Sequence, residues 1–303
     1  MFSKIVAFAR LSRPHFLIGG VVLYALGAMI ARFQGYALDG PLYFVGQLFI
    51  TSGQLMTHYL NEYWDLEADQ LNQSRTLFSG GSGVLPEGSL SRETARVAAS
   101  VCLAIHIATA VALIAQYGAP PSAWAVMVLV FLGAFFYSTP PVQLSHSGYG
   151  EITTSVLVAG FVPAFGHLLQ AGQPTLLLLF TTAPLVVLHY VMLLAFEFPD
   201  FLADEAAGKK TVLVRIGRRN GAIIHNVLIV LAFGLAVVSV YAHVPSRVAL
   251  SLVITAPIGV WQIITIRRMQ RGEPVAYNRL TLGAVAHFAL TAYLMAFSFW
   301  VVG

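Results

Sequence analysis

Charge is scarce in this sequence: Asp, Glu, Lys and Arg make up only 10% of 303 residues, where a water-soluble domain carries about a quarter. Between Val97 and Gly150 there is none at all. A single cysteine, Cys102, excludes an internal disulfide, and no metal-ligand spacing surrounds it, so it reads as buried helix filler. The N-terminal stretch carries Lys4, Arg10 and Arg13 but lacks a small-residue cleavage site, and is read as leading into a retained first span. What fills the chain instead is apolar: 57% hydrophobic residues, 20 Phe and 12 Tyr, with a mean hydropathy of +0.76. The net charge of +4 does not mark a nucleic-acid binder, because the basic residues lie between apolar runs rather than on one soluble face.

Crossing a bilayer takes about 17–25 apolar residues. Nine such runs are present, at approximately 15–33, 42–61, 97–116, 122–139, 152–170, 176–196, 220–241, 248–266 and 280–302. Backbone groups in lipid must be satisfied within their own segment, so these are expected to be helices. Turn residues separate them at Tyr117-Gly-Ala-Pro-Pro-Ser, Ser138-Thr-Pro-Pro and Gln170-Ala-Gly-Gln-Pro. Fifteen of the 17 Lys and Arg fall on one side of this arrangement, with only Arg32 and Arg247 on the other. That asymmetry predicts a cytoplasmic N-terminus and an inner-membrane, multi-pass protein. The expected fold is an all-α bundle of nine transmembrane helices around a central cavity. It is one domain over 1–303, built from pseudo-repeat halves of roughly 1–140 and 150–303.

The acids are as unevenly placed as the bases. Of 13 Asp and Glu, six lie between Glu62 and Glu93 and four between Glu197 and Glu205. The first cluster reads Asn61-Glu-Tyr-Trp-Asp65-Leu-Glu-Ala-Asp69 and the second Glu197-Phe-Pro-Asp200-Phe-Leu-Ala-Asp204. An offset of 135 positions superposes Glu62, Asp65, Ala68 and Asp69 on Glu197, Asp200, Ala203 and Asp204, and Arg75-Thr76 on Lys210-Thr211. Such self-similarity is the signature of two related halves facing a shared site. Spacing of four puts two carboxylates on one helix face, a turn apart. Carboxylates that close repel each other unless cations neutralise them, and hard oxygen ligands suit magnesium bridged to phosphate oxygens. A lone pair of this kind is common in solvated loops. Two in register, on one membrane face and each followed by a basic-Thr pair, are not.

At these residues the sequence resembles the UbiA superfamily of intramembrane prenyltransferases, which carries an NDxxDxxxD motif and a DxxxD motif followed by a GKxTLxVRxG-like stretch. The latter stands here as Gly208-Lys-Lys-Thr211-Val-Leu-Val-Arg215-Ile-Gly217. Phe78-Ser-Gly-Gly-Ser-Gly-Val-Leu-Pro-Glu-Gly88 and Tyr137-Ser-Thr-Pro-Pro141 with Gly148-Tyr-Gly-Glu151 are similar to the branch that prenylates 1,4-dihydroxy-2-naphthoate for menaquinone. The chain departs from the pattern at Glu62, at Phe196, and after Pro141, where Gln143, Ser145, His146 and Ser147 replace the basic residues common in relatives.

The resemblance implies a magnesium-dependent transfer of a polyprenyl group from a prenyl diphosphate to an aromatic acceptor. Asp65, Asp69, Asp200 and Asp204 are the expected catalytic residues and, with Asn61, the metal ligands. Arg75, Lys209, Lys210 and Arg215 are expected to balance diphosphate charge. His58, Tyr137 and Tyr190, near the same ends of their spans, are candidates to face the substrate, although aromatics there also serve as interfacial belt residues. Glu151 either caps a helix or polarises the acceptor. Two rivals remain: a membrane terpene cyclase of the same superfamily, and an ion or solute transporter.

Overall fold

The computed structural model describes residues 2–302, which are helical with no strand among them. In chain order the helices are α1 (Phe2–Leu11), α2 (Pro14–Phe33), α3 (Gly40–Trp64), α4 (Leu66–Leu71), α5 (Arg92–Ala115) and α6 (Pro121–Phe136). There follow α7 (Gly150–Ser155), α8 (Val162–Ala171), α9 (Leu176–Ala206), α10 (Val212–Tyr241), α11 (Ser246–Gln270) and α12 (Tyr277–Val302). A π-helical turn, Val156–Phe161, fuses α7 to α8.

Local chemistry sets several boundaries. Asp39 Oδ1 accepts the Leu42 amide at 2.9 Å to start α3, and the hydroxyls of Ser91, Thr175 and Thr211 cap α5, α9 and α10 in the same way. Gly172, with φ 79°, ends α8 in the left-handed conformation that glycine adopts at no steric cost.

Seven helical segments are long and apolar enough to cross a membrane: Pro14–Phe33, Arg92–Ala115, Gly150–Ala171, Leu176–Ala206, Val212–Tyr241, Ser246–Gln270 and Tyr277–Val302. The chain is a multi-pass membrane protein. The expected nine is met by seven on these criteria, for a physical reason. Helix α6 has only 16 residues. Helix α3 has the length, but Gln47, Gln54, Thr57, His58 and Asn61 dilute its apolar surface. Outward-facing Ile18, Phe44, Val230 and Val253 are largely exposed, as lipid-facing side chains are.

The bundle closes through small residues. A Cβ on Gly27 would collide with the Pro163 carbonyl, and one on Gly166 with the Tyr24 carbonyl, so α2 and α8 cross backbone to backbone. Helix α3 packs on α5, α9 on α10, and α12 lies against both α2 and α9. At one end the connecting segments touch each other. Arg10 and Arg75 both reach Glu87, and the Leu77 amide donates to Asn278 Oδ1 at 3.2 Å. The segments carrying the basic excess therefore share one face of the bundle.

Candidate active site

A cavity of about 770 Å³ opens at this face, framed by α2, α3, α9 and α12. Its end under the loops is polar, lined by Asn61, Asp65, Asp69, Asn72, Asp200, Asp204 and Lys209. Deeper in, the wall becomes apolar through Leu23, Ile50, Val130, Leu157, Val162 and Met192. Exposed Ile18 of α2 and Leu290 and Tyr293 of α12 also line it, so the apolar part opens sideways toward lipid.

Asp65 is the joint between α3 and α4. The Asp65 amide donates to the Asn61 carbonyl at 2.8 Å and the Asp69 amide to the Asp65 carbonyl at 2.9 Å, so helical spacing continues across the joint. Asn61, Asp65 and Asp69 consequently stack on one side, as the spacing of four predicts. The Asp65 carboxylate is buried and accepts from Lys209 Nζ at 2.9 Å, Asn61 Nδ2 at 2.7 Å and His146 Nε2 at 3.0 Å. Burial by itself raises this carboxyl, but the Lys209 ammonium and the His146 ring outweigh it and hold Asp65 well below the usual carboxylate range. Among the described residues Asp69 has no such partner. Burial first, and then the Asp65 charge, push its carboxyl up to about 8. The loop over it is shaped to Asp69: a Cβ on Gly81, whose φ is +72°, would run into the carboxylate.

The second pair lies within α9, which continues as helix through Pro199. Asn72, just past α4, donates to Asp200 Oδ1 at 2.7 Å and ties the two acidic segments together. Lys209 does the same by charge, standing 2.9 Å from Asp65 and 3.6 Å from Asp204. Both carboxylates hold its ammonium charged against the cost of burial. An acidic residue from each of the two matching segments therefore meets one buried cation.

Of the remaining expected residues, His58 and Tyr137 line the cavity; His58 Nδ1 is 3.1 Å from the Ser12 carbonyl. Four do not line it. The exposed Arg75 is drawn away to Glu87 at 2.9 Å, lying beneath Gly83 where a Cβ would strike its guanidinium. Lys210 is exposed and meets the Ser145–Ser147 turn only through its amide, 3.0 Å from the His146 carbonyl. Arg215 donates to the Lys210 carbonyl at 3.0 Å and lies over the Tyr149 ring. Helix rotation turns His189, rather than Tyr190, into the cavity. Sequence reasoning missed Asn72 and Ser79, and it discounted His146. The offset offered no cue to Asn72, because the matching position is Ala207.

The donors fit an oxygen-coordinated divalent ion. All four Asp carboxylates and the Asn61 amide reach the polar end, and the buried Lys209 ammonium shows that a cation is stable among them. Among the described residues no three His, Cys, Asp or Glu side chains close on a point as a ready cage. Magnesium binds through oxygen ligands and completes its shell with water and phosphate oxygens, so a donor set of carboxylates and an amide suits it.

Comparison with known proteins supports the same direction. Residues 21–282 match the model of the UbiA prenyltransferase family. The 1,4-dihydroxy-2-naphthoate octaprenyltransferase of Bacillus subtilis is 21% identical over 300 residues, covering 95% of this chain and 88% of that one. A homogentisate phytyltransferase of Synechocystis is 25% identical over 266 residues, covering 83% and 82%. The fold matches a UbiA homolog from Archaeoglobus fulgidus bound to DMAPP and Mg2+, with a TM-score of 0.61, 15% identity, and coverage of 94% and 98%. It also matches an apo UbiA homolog from Aeropyrum pernix, with a TM-score of 0.65, 14% identity, and coverage of 95% and 98%.

Proposed function

Because this chain belongs to the UbiA prenyltransferase family, we propose that it moves a polyprenyl group from a prenyl diphosphate to 1,4-dihydroxy-2-naphthoate, with magnesium, on a route to menaquinone. One observation carries the reading: two acidic pairs from matching segments share the polar end of a cavity whose other end is apolar and open to lipid. A prenyl diphosphate has the same two-ended character. The Bacillus subtilis relative, named for its action on this naphthoate, supports the choice of acceptor. In this reading α3 and α6 also cross the membrane, giving nine spans, and the basic face with its acidic segments lies in the cytoplasm.

Asp65, Asp69, Asp200 and Asp204, with Asn61, would hold magnesium, which supplies the charge that draws electrons toward the departing pyrophosphate. Lys209 donates to the same oxygens as the C–O bond breaks, and Asn72 keeps Asp200 turned toward them. The allylic carbon then develops positive charge within reach of aromatic faces, among them Tyr137, Phe16 and Phe196. His58, held by the Ser12 carbonyl, fixes the wall beside them. Arg75, Lys210 and Arg215, outside the lining, contribute long-range attraction for an anionic substrate rather than contact.

The test is incubation of purified protein with prenyl diphosphates of several lengths and magnesium, with and without dihydroxynaphthoate, followed by mass spectrometry. The expected product is a prenylated naphthol that has lost carbon dioxide and forms only when acceptor is present. A cyclic hydrocarbon released without acceptor would replace this reading with the terpene cyclase.

A further inference from the structure

We propose that the carboxyl pair Glu151 and Glu197 is the docking point for a hydroxyl group of the aromatic acceptor. The proposal rests on the prenyl-transfer reading and specifies where in the cavity the second substrate sits.

Glu151 comes from α7 and Glu197 from α9; both are buried and both line the cavity. Each uses one oxygen on the first turn of α10. The Val212 amide donates to Glu151 Oε1 at 3.3 Å and the Leu213 amide to Glu197 Oε2 at 2.6 Å. The positive end of the α10 dipole therefore faces the pair. The two carboxyl groups lie close enough for their charges to repel, and among the described residues neither forms an ion pair. The other oxygen of each, Glu151 Oε2 and Glu197 Oε1, is buried without a protein donor. Buried polar atoms are nearly always satisfied, and an exception in a cavity wall calls for a donor brought by a ligand.

The surroundings select that ligand. Tyr137, Thr154, Val158, Leu193 and Thr211 line the same region, giving a largely uncharged wall with a few hydroxyls. Such a wall suits a flat aromatic ring better than a second diphosphate. The position suits the reaction as well. Lys209 touches Asp65 and Asp204, while Leu213, four residues on, is held by Glu197. Four residues span at most about 14 Å, so the pair and the acid cluster wall the same part of one cavity. A hydroxyl donating to a carboxyl oxygen feeds electron density into its ring, which sharpens attack on an allylic carbon.

Glu151→Gln and Glu197→Gln keep an oxygen for the α10 amides, so the helix start is preserved. Full-length protein in detergent would be assayed with a prenyl diphosphate, magnesium, and either dihydroxynaphthoate or its mono-O-methyl ethers. Each Gln variant is expected to raise the acceptor KM by about tenfold or more, to leave the donor KM within about twofold, and to lose the preference for free hydroxyl over ether. Glu197→Asp, which restores a carboxyl, should recover part of that preference and serves if a Gln variant fails to fold. Variants that keep both the acceptor KM and the hydroxyl preference overturn the proposal, as does a rise in magnesium requirement with the preference intact. Failure of the unaltered chain to alkylate any acceptor overturns the prenyl-transfer reading itself, and is seen before any variant is made.

Discussion

Glu62 and Glu197 occupy matching positions in the two acidic segments, yet they are neutralised by different means. Glu62 is clamped by the Arg13 guanidinium and accepts from the Ser82 amide and hydroxyl at 2.7 and 2.8 Å. Glu197 accepts from the Leu213 amide, beside another carboxyl and with no cation paired to it among the described residues. The contrast continues one turn on. Asp65 meets Lys209 and His146, whereas Asp200 meets the neutral amide of Asn72. At these two positions of the first segment, charge is balanced within the protein. At the matching positions of the second, no cation is paired with the acid among the described residues. Two segments with one acidic pattern thus carry different surroundings at their first two acids.

Three experiments press on that division. The largest effect is expected from Asp65→Ala and Asp200→Ala, each lowering kcat by about a thousandfold or more while the protein still elutes as a folded species. Full turnover in either variant would remove that residue from the chemistry. Next comes stability. Glu62→Gln strands the buried Arg13 charge and should cost about 3 kcal/mol, read as a lowered unfolding temperature in detergent. Glu197→Gln keeps an acceptor for the Leu213 amide and should cost less than about 1 kcal/mol. Equal losses would erase the asymmetry. The smallest effect is in protons. With its carboxyl at about 8, Asp69 is mostly protonated at pH 7, and a metal ion requires the carboxylate. Magnesium binding in the presence of a diphosphate should therefore release up to about one proton at pH 7, strengthen as pH rises toward 8, and lose its pH dependence above it. Calorimetry in buffers of different ionisation enthalpy measures this, and Asp69→Asn should reduce the release.

The long elements and the opposition of the acid pairs were readable in advance because they depend on periodicity. Apolar runs fixed the helices, and spacing of four fixed which face each Asp takes. The offset even matched function at the threonines: Thr76 accepts the Ser79 amide and Thr211 the Val214 amide, each holding the turn that follows. What escaped depends on loops and on contacts between distant segments. The turn between α9 and α10 decides that Lys209, not Lys210, faces inward. His146 reaches Asp65 across 81 positions, and no local pattern encodes such a meeting. The basic residues near the motifs were assigned inward by charge alone, but Arg75 found an acid partner at the surface first.

Helix α9 is 31 residues long, or roughly 46 Å at 1.5 Å per residue. The oily slab is about 30 Å thick, so in the proposed topology the last turns of α9, bearing Asp200 and Asp204, stand at the level of the lipid headgroups. A reaction staged there is split between two solvents. Released pyrophosphate can drain straight into water, while the greasy product need never leave the bilayer. Each departs into the phase that dissolves it, and neither stands in the other's way.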